Sequence, residues 1–398
     1  MNIEELISKV KEVDIVKVAG NHFSLDNIGN KYLMCDPFTN ESTQSICINI
    51  DTQMFYAFNN GLGGDVLNFV MCYLQKDITE SIEYLLSYTD VVLSKEEIQE
   101  ILSQNNSSKE LILKMNYDAA FYFYCVLRRG KDQTGMQYFK NKRKLTDKTM
   151  NKFGVGFALN SWNNLVNYLK KKGYSESDII NSGLSTFNKT GNIIDKFRNR
   201  IIIPIQDVNG KVIAFGGRVL DDSKPKYLNS PDTIVFDKSK NLFALHLAKD
   251  SKREGFIACE GFMDVISMHQ AGFDNAIASL GTAFTDRHAC LIKSFRDVVY
   301  LAYDSDGPGT EATIKAINTL KKYGIKSFVI DMMPYKDPDE FIKNLGAEEF
   351  QKRIDAALPS DVFYLKKQAT ILKDAPEDEK DKIRKGIAYH LVKQVFPD

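Results

Sequence analysis

The chain has 398 residues, of which 43% are hydrophobic, enough for two or three globular domains. Its 52 lysines and arginines balance 52 aspartates and glutamates, so the formal net charge is zero and composition alone does not indicate a nucleic-acid-binding protein. No apolar run approaches the roughly 18–20 residues of a membrane span, and residues 1–11 lack a signal-peptide core, so we expect a cytoplasmic protein without membrane partners.

The six cysteines are scattered, and no two of them form a Cys-x-x-Cys pair. This spacing argues against a disulfide framework and against an intact zinc ribbon, and it favours reduced thiols with structural roles. The cysteines are Cys35, Cys47, Cys72, Cys125, Cys259 and Cys290.

Residues 1–88 are predicted to form a small α+β domain, because short alternating runs are followed by two amphipathic segments. Residues 89–110 are predicted to be a linker, since residues 103–108 are polar. The predicted strands and helices of the first domain are Tyr32–Cys35, Ile46–Ile50, Met54–Phe58, Val66–Tyr73 and Ile78–Leu86.

Residues 111–250 are predicted to form a second domain of mixed helices and strands. Two apolar runs, Ile201–Ile205 and Val212–Phe215, flank Asn209-Gly210, which is a strong signal for a hairpin turn. A strongly basic stretch, residues 128–152, could attract phosphate backbones or could be an ordinary solvated face. Its basic residues are Arg128, Arg129, Lys131, Lys140, Lys142, Arg143, Lys144, Lys148 and Lys152.

From residue 251 to 357, short apolar strands alternate with helices, which is the pattern of a parallel α/β sheet. The predicted fold class is therefore mixed α/β, with helices flanking this sheet, and residues 358–398 are predicted to form a C-terminal helical subdomain. The predicted parallel strands are Gly255–Cys259, Asn275–Ser279, Val298–Tyr303 and Ser327–Met332.

Six carboxylates follow three of these strands. Because sites in open parallel sheets form at the carboxyl ends of the strands, we expect the acids to converge on one edge. Packed like charges favour cation binding, and oxygen ligands without His or Cys favour two or more Mg²⁺ or Mn²⁺ ions. Any single acid could instead cap a helix. The six are Glu260, Asp264, Asp304, Asp306, Asp337 and Asp339.

Several segments resemble parts of bacterial DnaG-type DNA primases. Four of them are similar to the Toprim domain, which also occurs in topoisomerases, recombination mediators and nucleases, so these alone do not select a reaction. The others resemble the primase-specific half of the polymerase domain. The Toprim-like segments are Glu260–Val265, Ala278–Ala283, Asp304–Asp306 and Asp337–Glu340, and the primase-like segments are Tyr138–Phe157, Asp195–Ile201, Phe215–Leu220, Pro225–Pro231 and Phe236–Lys238.

The resemblance implies an enzyme that makes short RNA primers on single-stranded DNA from ribonucleoside triphosphates by metal-dependent nucleotidyl transfer. It assigns catalysis and metal binding to Glu260, Asp304 and Asp306, with the other three acids completing the metal cluster. It also assigns the binding of template and nucleotide phosphates to six basic residues, whose side chains can hydrogen-bond to phosphate oxygens. These are Arg143, Arg198, Arg200, Arg218, Lys226 and Lys238.

The N-terminal domain resembles the primase zinc-binding domain but differs at the expected ligands. Cys35 matches the first of three cysteines and one histidine, whereas Thr39, Ala57 and Asn60 stand at the other positions. One ligand of four does not hold a structural zinc, so we expect no zinc. We expect no counterpart of the family's C-terminal helicase-binding domain, so a replicative helicase is a possible partner that would be recruited by another chain, through another surface, or not at all.

Two other functions stay open at this point. A catalytically weak homologue that binds single-stranded DNA or regulates replication would fit the altered zinc ligands. A Toprim nuclease would share the metal-binding acids, but it does not account for the primase-like segments that contain Arg218 and Lys226.

Overall fold

The computed structural model describes residues 1–38, 44–58, 62–281, 283–374 and Lys385. Thr39, Asn60 and Thr282 lie outside the described residues, as does most of the predicted C-terminal subdomain beyond residue 374. The chain forms two compact units, residues 1–111 and 112–398. Among the described helices, none has both the length and the apolar character that crossing a bilayer requires.

The first unit is a five-stranded antiparallel sheet with helices packed against it. In chain order its elements are α1 (Ile3–Lys11), α2 (Ile15–Gly20), β1 (Asp26–Ile28), β2 (Lys31–Met34), β3 (Ile46–Asn49), β4 (Met54–Ala57), β5 (Gly63–Gly64), α3 (Val66–Tyr73) and α4 (Ile78–Leu86). The strands pair in the order β1-β2-β3-β4-β5. Along β3 and β4 every second side chain is buried, as the alternating sequence predicted, and these buried residues are Ile46, Ile48, Phe55 and Ala57. The two predicted helices, α3 and α4, are confirmed with the same bounds.

One helix, α5 (Lys95–Arg129), covers residues 103–108, where the sequence predicted a flexible linker. The structure differs because these residues include neither Gly nor Pro, and polar residues alone do not end a propagating helix. The hydroxyls of Ser103 and Ser108 donate to the carbonyl oxygens of Glu100 and Gln104, at 2.9 and 3.0 Å. The boundary between the two units lies inside α5.

The second unit begins with an antiparallel sheet. After α5 its elements are α6 (Thr134–Gln137), a π-helical turn (Tyr138–Lys142), α7 (Asp147–Lys152), β6 (Gly156–Ala158), α8 (Asn164–Lys171), α9 (Glu176–Asn181), β7 (Ser185–Phe187), β8 (Ile193–Asp195), β9 (Arg200–Gln206), β10 (Val212–Val219), β11 (Tyr227–Asn229), a 3₁₀ turn (Lys238–Lys240) and α10 (Leu245–Ala248). The sheet order is β11-β10-β9-β6, and β7 and β8 form a separate ribbon. The predicted hairpin is confirmed, because β9 and β10 pair around Asn209-Gly210 and Gly210 has a φ of 83°.

A mostly parallel sheet follows in the same unit. Its elements are β12 (Phe256–Cys259), α11 (Phe262–Gln270), β13 (Ala276–Ala278), α12 (Asp286–Lys293), β14 (Val298–Ala302), α13 (Gly307–Lys322), β15 (Lys326–Val329), α14 (Pro338–Asp355, kinked at Gly346), β16 (Leu358–Pro359) and α15 (Ser360–Asp374). The order is β13-β12-β14-β15-β16, with β16 antiparallel to β15. The four predicted parallel strands are confirmed. The edge strand β16 was not predicted, because two residues carry no readable period.

The two sheets of the second unit share one hydrophobic core. Ile201 and Ile203 of β9 belong to the same buried cluster as Cys259 of β12 and Phe262 of α11. This packing fixes the antiparallel sheet against one face of the parallel sheet. Side chains of β10 and β11 are therefore held close to the carboxyl end of β12.

Helix α11 is anchored by the buried side chain of His269. One ring nitrogen, Nε2, lies 2.9 Å from the carbonyl oxygen of Ala276, and Nδ1 lies 3.1 Å from the Nζ of Lys152. The imidazole is neutral in this environment, and burial lowers the pKa of His269 to about 4.

We predict that protonation of His269 contributes to acid destabilisation. The folded pKa lies below the unfolded value, so this stabilisation is present above about pH 6.5 and is lost as the pH falls toward 4. Between pH 7 and 5 the wild type should lose about 2 kcal/mol more unfolding free energy than His269→Gln, measured by urea unfolding. The exposed His22 offers a matched control, His22→Gln, which should follow the wild type. Equal losses in wild type and His269→Gln would contradict the prediction.

Candidate active site

Glu260 and Asp304 follow neighbouring parallel strands and lie against each other. Cys259 of β12 is in register with Ala302 of β14, so the residues that follow leave the sheet at the same edge. The backbone N–H of Asp304 donates to Oε1 of Glu260 at 3.1 Å. Burial, together with the other carboxylate, raises the pKa of Glu260. Burial also raises the pKa of Asp304, and nearby Asp337 and Asp306 add to it against an opposing effect of Lys336.

Asp306 differs from Asp304 because its side chain is only half-buried and it serves as the N-cap of α13. Its Oδ1 accepts the backbone N–H of Gly309 at 2.9 Å. This hydrogen bond and the ammonium of Lys336 lower the pKa of Asp306. The helix-capping alternative is thus realised at Asp306, in addition to its place in the acidic cluster.

Lys336 joins two of the predicted metal-binding acids and was not singled out in the sequence. Its Nζ lies 2.9 Å from Oδ2 of Asp306 and 3.3 Å from Oδ2 of Asp304. In the sequence Lys336 directly precedes Asp337, and its neighbours do not distinguish it from the other lysines of the chain. The contact becomes visible only when the loop after β15 is placed beside the loop after β14.

Asp264 and Asp339 are the two deeply buried acids, with exposed fractions of 9% and 5%. Burial raises the pKa of Asp264 well above its usual range, and Asp337 and Asp339 add to this. Asp339 is instead balanced by cations, because its Oδ2 lies 2.6 Å from Nη1 of Arg143 and 2.6 Å from Nζ of Lys343. Asp337 caps α14 by accepting the N–H of Glu340 at 2.7 Å.

A cavity of about 430 Å³ brings most of the predicted site residues together. Acids that follow the parallel strands form one part of its wall. Arg143, which follows the π-helical turn, and basic and aromatic residues next to β10 and β11 form another. Asp306 does not line it and reaches the cluster through Lys336. Its lining residues include Arg143, Arg218, Lys226, Tyr227, Asn229, Glu260, Asp264, Asp304, Lys336, Asp337 and Asp339.

Two tyrosines that the sequence analysis missed hold the arginines of this cavity. Tyr138 accepts a hydrogen bond from Nε of Arg143 at 2.7 Å, and its ring centroid lies 5.6 Å from the guanidinium of Arg218. Tyr227 accepts from Nη1 of Arg218 at 2.8 Å. These contacts restrict both guanidinium groups, which reduces the entropy lost when they bind a phosphate.

Three predicted basic residues lie outside the cavity wall. Arg200 is 7% exposed and donates to the carbonyl oxygen of Pro225 at 2.9 Å. It therefore supports the loop that carries Lys226, whereas the sequence analysis expected it to contact phosphates directly. Burial lowers the pKa of Arg200. Lys238 begins the 3₁₀ turn, and its carbonyl oxygen lies 2.9 Å from Nε2 of His288.

Arg198, the third, stacks on Trp162. Its guanidinium lies 4.6 Å from the centroid of the indole ring, and it also donates to the carbonyl oxygen of Asp195. Trp162 is 62% exposed, an unusual position for the only tryptophan of the chain. The sequence does contain a signal for this site, because the one tryptophan of the chain lies in a polar segment.

The donor set of the acidic cluster fits divalent cations that prefer oxygen. Glu260, Asp304 and Asp306 offer carboxylate oxygens from two adjacent strand ends, and the repulsion that raises the pKa of Glu260 is the kind that a bound cation relieves. Among the described residues, no three acidic, His or Cys side chains already converge as a ready-made set. Lys336, Arg143 and Lys343 instead neutralise individual members.

Comparison with known protein families divides the chain in the same way. Residues 122–249 match the N-terminal domain of the DNA primase catalytic core, and residues 257–342 match the Toprim-like family. Residues 2–101 match the CHC2 zinc finger. Among curated relatives, the DNA primase of Aquifex aeolicus is 34% identical over 389 residues, covering 96% of this chain and 73% of that protein. The chain belongs to the DNA primase family.

Other DNA primases and solved primase structures are also similar to this chain. The chain is 38% identical to the DNA primase of Clostridium acetobutylicum over 357 residues, covering 89% of this chain and 59% of that protein. It thus spans less than two thirds of several full-length relatives. The Aquifex aeolicus primase structure, with zinc-binding and RNA polymerase domains, matches 97% of this chain with a TM-score of 0.61 and 30% identity. The solved structure of a DnaG primase catalytic domain bound to ssDNA matches 71% of this chain with a TM-score of 0.62 and 28% identity.

The expectation of no zinc is wrong. The CHC2 zinc finger match over residues 2–101 points to zinc binding by the N-terminal unit of this primase-family chain. That expectation rested on four single positions, Cys35, Thr39, Ala57 and Asn60. The family match instead covers the whole of residues 2–101, and two of those four positions, Thr39 and Asn60, lie outside the described residues.

We predict that Asp339 stabilises the fold through its two cations. Asp339→Asn leaves Arg143 and Lys343 without their shared counter-charge in a largely buried location, which should cost about 2–3 kcal/mol of unfolding free energy. Chemical denaturation measures this directly. Asp331→Asn removes an exposed acid that pairs with Arg353 at 3.7 Å and should change stability by less than about 0.5 kcal/mol. A loss in Asp339→Asn no larger than in this control would contradict the assignment.

Proposed function

We propose that this chain synthesises short RNA primers on single-stranded DNA by metal-dependent nucleotidyl transfer. The single observation that carries the proposal is the cavity in which Glu260 and Asp304 face Arg218 and Lys226. Membership of the DNA primase family supports it, and a related catalytic domain was solved bound to ssDNA. Ribonucleoside triphosphates as substrates and a replicative helicase as partner belong to the same proposal.

The proposed reaction is attack of a 3′-hydroxyl on the α-phosphate of a ribonucleoside triphosphate, with pyrophosphate as the leaving group. Divalent cations held by Glu260, Asp304 and Asp306 would stabilise the charge that develops in this transfer. Asp304 is fixed for this role by its backbone N–H, which donates to Glu260. Asp306 is fixed by its hydrogen bond to the first turn of α13.

The basic part of the wall positions phosphates. Arg218 is held by Tyr227 and lies over Tyr138, so its planar fork is ready to take two phosphate oxygens. Lys226 is exposed and acts as a mobile point charge. In this assignment Arg200 positions the Lys226 loop and does not itself touch the substrate.

Primer synthesis tests the proposal directly. Asp304→Asn removes one carboxylate charge while keeping the side-chain size, so synthesis from labelled ribonucleotides on mixed single-stranded templates should fall at least about 100-fold. Asp331→Asn, an exposed acid near the end of the next strand, should synthesise normally. Synthesis by Asp304→Asn at the wild-type rate would overturn the proposed site.

The same assay separates the alternatives. A homologue that only binds single-stranded DNA would retain template in a gel-shift experiment and form no primer in any variant. A Toprim nuclease would shorten the template in the presence of Mg²⁺ and incorporate no ribonucleotide.

We further propose that Trp162 and Arg198 form a stacking platform for the template strand. The exposed indole offers a face for a base, and the adjacent guanidinium offers a charge for a phosphate. Asp195, which is 4% exposed, holds this corner because its carboxylate accepts the N–H groups of Leu165 and Val166, both at 2.9 Å.

Trp162→Ala should weaken binding of a single-stranded oligonucleotide by about 1–3 kcal/mol, because one base loses its stacking partner. Fluorescence anisotropy measures the change, and thermal stability should be preserved because the ring is exposed. Tyr117→Ala removes another exposed aromatic ring, 66% exposed on α5, and should bind normally. Equal affinities of Trp162→Ala and wild type would remove the platform from the proposal.

A further inference from the structure

Lys336 occupies the oxygen atoms that a cation would need. Its ammonium contacts Oδ2 of Asp306 and Oδ2 of Asp304 at once. The other oxygen of Asp306, Oδ1, accepts the N–H of Gly309. Asp306 therefore has one oxygen committed to the helix cap and the other to Lys336, so an entering cation meets a carboxylate that is already neutralised.

A divalent cation and this ammonium cannot share the same oxygen at low cost. Mg²⁺ lies about 2.1 Å from its ligand oxygens, and the Lys336 nitrogen lies 2.9 Å from Oδ2 of Asp306. The two positive centres would then be within about 5 Å of each other, where like charges near a protein surface repel appreciably.

The backbone of Lys336 is fixed, but its side chain is free to leave. Its carbonyl oxygen accepts the N–H of Ser305 at 2.9 Å, and its own N–H donates to Glu340 at 3.0 Å. The hydroxyl of Ser305 also donates to the carbonyl oxygen of Tyr335 at 2.9 Å. The Lys336 side chain is 57% exposed. Rotation about side-chain bonds therefore suffices to move the ammonium into solvent, with no change in the loop.

We propose that Lys336 is a resident counterion that competes with the divalent cation for Asp304 and Asp306, and that it sets the cation concentration at which the site fills. The inference rests on the proposed function, because it takes these two acids as cation ligands. Without a cation the ammonium holds the acids together against their repulsion. With a cation it is displaced, and part of the binding free energy is used for the displacement.

The test is Mn²⁺ binding by the full chain, followed through the loss of the free-ion electron paramagnetic resonance signal. Lys336→Met removes the charge and keeps the length, so Mn²⁺ should bind on the order of fivefold more tightly than in wild type, since exposed ion pairs of this kind are weak. Lys336→Arg keeps the charge and should bind close to wild type.

Lys352→Met is the matched control. It removes one exposed lysine charge on α14, from a pair with Glu349 at 2.9 Å, so the net charge of the protein changes equally. Its Mn²⁺ affinity should equal that of wild type. An equal gain in Lys352→Met and Lys336→Met would assign the effect to net charge and overturn the proposal.

Asp304→Asn separates failure of this inference from failure of the proposed function. If Asp304→Asn abolishes a Mn²⁺ site that Lys336→Met leaves unchanged or weakened, Lys336 is no competitor and only the inference falls. If Asp304→Asn binds Mn²⁺ like the wild type, the acids are not the ligands and the proposed metal site falls as well. Lys336→Gln, with thermal unfolding of each variant, provides a second neutral substitution in case Lys336→Met does not fold.

Discussion

Repulsion among carboxylates at one edge of the parallel sheet is the constraint on which the rest of the site depends. The chain offsets it in three different ways. Asp304 and Asp306 share the ammonium of Lys336, and Asp339 receives Arg143 and Lys343. Burial and the neighbouring acids raise the pKa of Asp264, which favours its neutral form. Each of these solutions lets the acids lie close together by offsetting the charge of individual members.

The shared core of the second unit places cationic groups opposite this cluster. At Gly216 of β10 a Cβ atom would lie 2.6 Å from the ring of Phe262, and at Gly217 it would lie 2.7 Å from the ring of Phe197. Glycine at both positions lets β10 pack directly on aromatic rings. The next residue, Arg218, then reaches the cavity that Glu260 and Asp264 line. Close packing at two glycines thus fixes where an arginine meets the acids.

The sequence predicted strands and acids better than it predicted their partners. Runs such as Val298–Tyr303 have a length and composition that identify a buried strand. The acids that follow these strands lie at one edge of the sheet because the strands are parallel. Pairings across large separations leave no such trace. Arg143 and Asp339 are 196 residues apart, and Lys336 became important only through the relative position of two loops. The resemblance assigned Arg200 to substrate phosphates, and its burial is not visible in the sequence because an exposed and a buried arginine look the same there.

The ion pair between Arg143 and Asp339 also bears on how independent the Toprim-like part of this chain is. The segment matching that family begins at residue 257, whereas Arg143 lies in the segment that matches the primase catalytic core. One of the two cations that contact the buried Asp339 of α14 thus comes from the segment that matches the primase catalytic core. Transfer of residues 257–342 alone into another protein would carry Asp339 along but leave Arg143 and Lys343 behind. A new host would have to provide replacement cations for the buried carboxylate of Asp339.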